Sequence, residues 1–199
     1  METDKTNKKS GNLSQIQPED KRIRRTKKLL KNALKELILE QGFEEIRVQD
    51  VIDRADVGRT SFYTYFKNKE DLLLQNLEDL EDLFKPSKNN KSEENDINYE
   101  LEKFSLNMFR HLQENWKLAK ALMGNKRILI VRNQVQNIIL NYYKKQYQKK
   151  WGQTRSAVEI EAAAVCTAGA LVSMTLWWLT MNKPVSPEKM HKMFLNSIN

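Results

Sequence analysis

The chain has 199 residues, 40% of them apolar and 30% charged, which is the composition of a globular chain able to bury a core. Its 34 Lys and Arg against 26 Asp and Glu give a formal charge of +8, a balance that favours a polyanionic partner such as nucleic acid or an anionic membrane surface. A single cysteine, Cys166, excludes an intramolecular disulfide framework and fits a reducing compartment, so the cytoplasm is the expected location.

Residues 1–20 are polar and charged, with no apolar stretch of the length a secretion signal needs, and read as a disordered basic arm. Its Lys5, Lys8 and Lys9 are either added phosphate or minor-groove contacts or an idle tail. With only six Gly and four Pro and apolar positions recurring at helical spacing, the fold class is all-α. The first helix is expected from about Lys21 to Gln41, with Leu30, Ala33, Leu34, Leu37 and Ile38 on one face, and Gly42 ending it. Eight basic residues precede its first acid, Glu36. Such a block opposes the helix dipole, and is either a solvated face or a surface that meets phosphates.

Val48, Val51, Ile52 and Ala55 then mark a short helix, followed by the turn Asp56-Val57-Gly58 and a second short helix from Arg59 to about Phe66. This is helix-turn-helix grammar. Ala55 allows the two helices to approach, Val57 plugs the turn, and Asp56 falls where the chain must reverse, a place that commonly asks for a left-handed conformation. Phe62 and Phe66 face inward, with Tyr65 at their margin, and leave Arg59, Thr60, Tyr63, Thr64 and Lys67 as an outer stripe. Arg can grip guanine in a bidentate fork, Thr can bond a base edge or touch a thymine methyl, and Tyr and Lys commonly hold phosphates. A fourth helix, from about Lys69 to Phe84, carries Leu at six positions, and residues 85–98 read as a flexible connection.

Residues Arg24 to Leu80 resemble the DNA-binding domain of TetR-family regulators. The resemblance rests on Val48-Gln49-Asp50-Val51-Ile52, on Ala55-Asp56-Val57-Gly58-Arg59, and above all on the run from Thr60 to Leu72, which reads TSFYTYFKNKEDL. It implies a three-helix DNA-binding head over residues 21–84, with Arg47, Gln49, Arg59, Thr60, Ser61, Tyr63, Thr64, Tyr65, Lys67 and Lys69 as the DNA-binding set. Asp56 stands where the family usually has Gly, and Arg47 where it often has Ser or Thr. The second change removes an N-cap hydroxyl but offers a cation at a helix end where phosphate would bind.

Further helices are expected at about Tyr99–Glu114, Trp116–Met123, Arg127–Lys150, Ser156–Met181 and Ser186–Ile198. The 20 residues from Ala162 to Met181 carry no charge and could span a bilayer by length. The Thr and Ser residues within the run, and Glu159 and Glu161 before it, point instead to a buried helix and no membrane contact. This half resembles the regulatory domain of TetR-family proteins of a subtype common in low-GC Gram-positive bacteria. The matching features are His111-Leu112-Gln113-Glu114-Asn115 before Trp116, the small-residue run ending in Trp177-Trp178, and the Pro-flanked last helix. In the family the last two helices pair with their symmetry mates, so residues 99–199 are expected to form a regulatory and dimerisation domain. The expected homodimer contact is Ala164, Ala168, Leu171, Met174, Trp177, Trp178, Met190 and Phe194. A ligand pocket would by resemblance draw on Met108, His111, Leu112, Trp116, Met123, Ile128, Val131 and Tyr142, each of which also reads as plain core. No acid occurs between Glu114 and Glu159, where Lys and Arg are frequent; a solvated face and an anionic ligand are both open.

Catalysis is not expected. His111, His191 and Cys166 have no metal-ligand spacing, and no Gly-rich phosphate loop occurs, so neither a metal nor a cofactor is implied. The expected protein is a homodimeric repressor that binds a palindromic double-stranded operator and is released by a small-molecule inducer. The other class the residues allow is a co-regulator of the same fold that contacts a protein instead of DNA.

Overall fold

The computed structural model describes residues 21–83, 97–123, 128–181 and 184–198. The regular structure among these residues is helical: α1 (Lys21–Gln41), α2 (Val48–Ala55), α3 (Arg59–Tyr65), α4 (Lys69–Leu83), α5 (Ile97–Glu114), α6 (Trp116–Met123), α7 (Ile128–Trp151), α8 (Ala157–Thr180) and α9 (Pro187–Ile198). The expected arm over 1–20 and most of the expected connection over 85–98 lie outside the described residues. Ile97 and Asn98, assigned to that connection from sequence, already belong to α5.

Two hydrophobic cores result. The first gathers Leu30, Leu34, Phe43, Ile46, Val51, Phe62, Phe66 and Leu72 from α1 to α4 and the loop after α1. The second gathers Phe104, Phe109, Tyr143, Ile160, Leu171, Trp178, Met190 and Phe194 from α5, α7, α8 and α9. The amphipathic α1 buries the stripe read from its sequence and leaves its basic face to solvent.

The short α6 belongs to both cores. Leu118, Ala121 and Leu122 pack against the head, while the Trp116 ring meets Trp178 edge to face at 5.0 Å. Head and body also meet where α4 packs on α7.

Helix α8 is long and apolar enough to cross a membrane by length and composition, and one face of it is consumed within the chain. Ala164, Ala168, Leu171 and Trp178 have at most 1% of their surface exposed, packed in the core shared with α5, α7 and α9. Its start is fixed by a reciprocal cap: Ser156 N–H donates to Glu159 Oε2 at 2.8 Å and the Glu159 N–H to Ser156 Oγ at 3.3 Å. Its end is tied by the Trp178 indole, whose Nε1 donates to the Val185 carbonyl at 3.0 Å.

The turn between α2 and α3 rests on one residue. Asp56 has φ 51° and ψ 50°, and its own N–H and that of Val57 close on the carbonyls of Asp53 and Ile52 at 3.2 Å each. A left-handed residue without a β-branch tolerates this, and glycine would adopt it without strain. Asp56→Gly should therefore leave stability within about 1 kcal/mol of the parent, whereas Asp56→Val should cost about 1–2 kcal/mol or more. Urea unfolding followed by circular dichroism checks both.

Candidate nucleic-acid interface

The recognition surface is created by what α3 buries. Phe62 and Phe66 are 0% and 1% exposed, with ring centroids 5.8 Å apart. A helix of seven residues anchored by two aromatic rings cannot roll, so its opposite side is fixed in direction. Arg59, Thr60, Tyr63, Thr64 and Lys67 are exposed on that side, as the spacing predicts, while Ser61 and Tyr65 are half-buried at its edges.

Arg59 is held in place before any DNA arrives. Its guanidinium lies 5.4 Å from the Tyr63 ring centre, and Nη1 donates to Gln49 Oε1 at 3.3 Å. Gln49 in turn donates from Nε2 to Asp53 Oδ1 at 2.7 Å. This chain of contacts runs from α2 to α3 and leaves less side-chain freedom to lose on binding. Gln49, expected to touch DNA, thus also positions Arg59. Thr64 donates its hydroxyl proton to the Thr60 carbonyl at 2.8 Å, which leaves its lone pairs and its methyl group for any further partner.

Arg47 occupies the N-cap of α2 in place of a hydroxyl residue, and Asp50, at the third helical position, reaches back to it. Its Oδ2 accepts from the Arg47 backbone N–H at 2.7 Å, and its Oδ1 pairs with Arg47 Nη2 at 3.1 Å. The backbone N–H and then the guanidinium hold the Asp50 carboxyl below its ordinary value. At the other margin, Lys27 of α1 sits 5.6 Å from the centre of the Tyr65 ring, which brings the basic start of α1 beside the end of α3.

Lys69 differs from expectation. Its ammonium donates to the carbonyls of Phe43 at 2.9 Å, Glu44 at 2.9 Å and Ile46 at 2.6 Å. An ammonium has three protons, so these contacts use its full donor capacity in fastening α4 to the loop between α1 and α2. No donor is left for a phosphate. The base of α4 is further capped by Asn68, whose Oδ1 accepts from Asp71 N–H at 2.7 Å, and by Asp71 Oδ2, which accepts from Lys67 N–H at 2.9 Å.

A second feature lies behind the head. A cavity of about 330 Å³ is bounded by α1 and α4 on one side and by α5, α6, α7 and α8 on the other. Of the residues expected there, Met108, His111, Leu112 and Val131 line it. Trp116 and Tyr142 do not: Trp116 packs on Trp178 and Tyr142 stacks on Phe104 at 3.9 Å. Met123 closes α6 and Ile128 opens α7, and their side chains lie outside the described residues. Burial pushes the His111 imidazole down from its ordinary value, which leaves it uncharged near pH 7. Sequence reading missed Lys31 and Lys35 from α1 and Thr175 from α8, all of which line the cavity.

Of the eight residues expected at a dimer contact, six are spent inside this chain. Ala164, Ala168, Leu171, Trp178, Met190 and Phe194 are each at most 1% exposed and have no surface to offer a partner. Met174 is half-buried and Trp177 is 48% exposed.

A helix-turn-helix with an outward basic, hydroxylic and phenolic stripe, joined to a helical body, defines a DNA-binding regulator. Residues 30–75 match the model of bacterial regulatory proteins of the tetR family, and residues 99–199, more than half of the chain, match that of a transcriptional regulator C-terminal region. The chain belongs to the TetR family and is a non-enzymatic DNA-binding transcriptional regulator. It is 38% identical over 48 residues to the HTH-type dhaKLM operon transcriptional activator DhaS of Lactococcus lactis subsp. lactis (strain IL1403), a match spanning 24% of this chain and 26% of that relative. Among solved structures it is similar to a TetR transcriptional regulator from Streptococcus agalactiae 2603V, at 25% identity and a TM-score of 0.58, covering 90% of this chain and 97% of that one. It also shares its fold with a TetR-family regulator from Syntrophomonas wolfei str. Goettingen, at 18% identity and a TM-score of 0.66, covering 88% and 93%.

The division of labour between Lys69 and Arg59 is measurable. Lys69→Met should cost about 2–3 kcal/mol of stability, because it strands carbonyls that a charged donor satisfied. Arg59→Ala, at the exposed face, should stay within about 0.5 kcal/mol of the parent. Denaturant midpoints of the two variants test the contrast.

Proposed function

We propose that the protein acts in the cytoplasm as a homodimeric repressor, binding a palindromic operator and leaving it when a small ligand occupies the cavity between head and body. The observation that carries the DNA half of this reading is the Arg59 side chain, exposed and held by Gln49 and Tyr63 on a helix anchored by Phe62 and Phe66. Such a group is ready to grip guanine O6 and N7 in a major groove. Arg47, Thr60, Ser61, Tyr63, Thr64, Tyr65 and Lys67 supply the remaining base and phosphate contacts, with the basic start of α1 alongside.

Dimerisation is supported by the side of α8 that the chain leaves open. Val158 is 78% exposed, Val165 46% and Trp177 48%, and with exposed Ala162, Cys166 and Ser173 they follow one helical stripe. A Cβ added at Gly169, on the same stripe, would meet nothing within 4 Å. Its smallness therefore serves no packing among the described residues, and a second helix is the partner that would use it. This face replaces the one expected from sequence, with Trp177 common to both. Two-fold pairing then presents two α3 helices to half-sites about one DNA turn, roughly 34–36 Å, apart.

Ligand control is supported by the cavity's position, because its walls come from both halves of the molecule. A ligand with different affinity for two head positions shifts the equilibrium between them. The sign is repression, since a dimer seated across a promoter blocks polymerase by occupancy alone. The DhaS relative is named an activator, and a promoter fusion in cells with and without the gene reads the sign directly.

Purified protein should protect a palindrome in DNA flanking its own gene, with affinity falling steeply as salt is raised. Arg59→Ala should weaken that binding about 10- to 100-fold with the fold unchanged; unaltered affinity would reject α3 as the reading helix. Val165→Glu combined with Trp177→Glu should give a helical monomer by sedimentation velocity, whereas a persisting dimer would reject the α8 face.

A further inference from the structure

We propose that the ligand of the cavity is an amphipathic anion, a carboxylate on an extended apolar body, whose head is taken by Lys35 with Lys31 and Arg132. This rests on the ligand-controlled reading above and specifies its chemistry. The walls are largely aliphatic, with Leu112, Val135, Ile139, Val172, Leu176 and Leu179 among them. Among the described residues, the charged ones lining the cavity are Lys31, Lys35 and Arg132, and no Asp or Glu lines it. Lys31 and Lys35 stand one turn apart on α1, where side chains at i and i+4 are neighbours. Lys35 and Arg132 are exposed and Lys31 is half-buried, so the cationic side is the wet one. A carboxylate there keeps part of its hydration while its body replaces water against aliphatic walls.

A second observation marks the interior as a binding site. Thr175 lines the cavity and is 8% exposed, and its Oγ1 is buried without a hydrogen-bond partner among the described residues. Buried hydroxyls are normally satisfied. A ligand's polar atom, or a water carried in beside an apolar chain, would complete this hydroxyl.

One of these cations joins head to body: Lys35 Nζ donates to Asn115 Oδ1 at 3.2 Å, linking α1 to the junction between α5 and α6, whereas Lys31 Nζ donates within the head, to the Gln75 carbonyl of α4 at 3.2 Å. A carboxylate is a stronger acceptor for an ammonium than a neutral amide oxygen. An anion at this rim therefore competes with Asn115 for Lys35 and loosens one of the contacts between head and body, which is how its binding would reach α3.

Calorimetric titration of the full-length protein with dodecanoate, 1-dodecanol and dodecylammonium, each below its aggregation limit, tests the assignment. The expected result is dodecanoate binding at least about tenfold tighter than the other two, with that advantage lost in a Lys35→Gln, Arg132→Gln double variant. Both substitutions are at exposed positions, and circular dichroism confirms folding. Equal binding of the alcohol or the ammonium, or an unchanged dodecanoate affinity in the double variant, overturns the anionic class and leaves a ligand cavity standing. Binding of none of the three overturns the class together with the ligand-controlled reading.

Discussion

The architecture depends on a single short helix having to satisfy two cores. Eight residues of α6 place Leu118, Ala121 and Leu122 against the DNA-binding head and Trp116 against Trp178 in the body. Removing either contact from water is favourable, so α6 holds the two halves together while the cavity keeps them from closing into one core. The cavity is thus a consequence of how the halves are joined. Movement of α1 or α4 relative to α7 changes its volume, so what fills it favours the head position whose cavity fits it better.

The same logic of burial fixes the reading surface. Phe62 and Phe66 use one side of α3 completely, and the other side inherits its direction from them. Around that axis the polar contacts divide into two kinds. Lys69, Asn68 and Asp71 secure the base of α4 against the loops beside it. Asp53 and Gln49 secure Arg59, whose guanidinium still has other N–H donors to offer. The first kind fastens the head, and the second holds the Arg59 guanidinium on the exposed face of α3.

Much of this was legible in the sequence where periodicity and chemistry agreed. Helices α1 to α4 have a clear apolar face or a turn with recognisable chemistry, and the structure follows the expected boundaries within a residue or so. The outer stripe of α3 was readable because Phe62 and Phe66 announce the inner one. Lys69 was not, since a lysine after a helix-turn-helix looks like a phosphate ligand until the three carbonyls around it are known. Lys31 and Lys35 read as part of a basic face, solvated or meeting phosphates, because the residue across the cavity, Asn115 at the junction of α5 and α6, lies 80 residues away from Lys35 in sequence. In α8 the pattern is apolar almost all round, so periodicity identified the helix and could not say which side its own chain would use. The face that carries Ala164, Ala168 and Leu171 went to the chain's own core, and the face with Val165 and Gly169 was left outward.

The central claim is that the body sets the spacing of two recognition helices. Its most direct test is a pulsed electron spin resonance distance between nitroxides placed at Thr64 through Thr64→Cys, in a Cys166→Ser background, on the intact protein free of DNA. The account predicts an intermolecular distance centred near one turn of DNA, roughly 34–36 Å allowing for the label's reach. Absence of any intermolecular coupling, or a distribution with no component near that spacing, would contradict it.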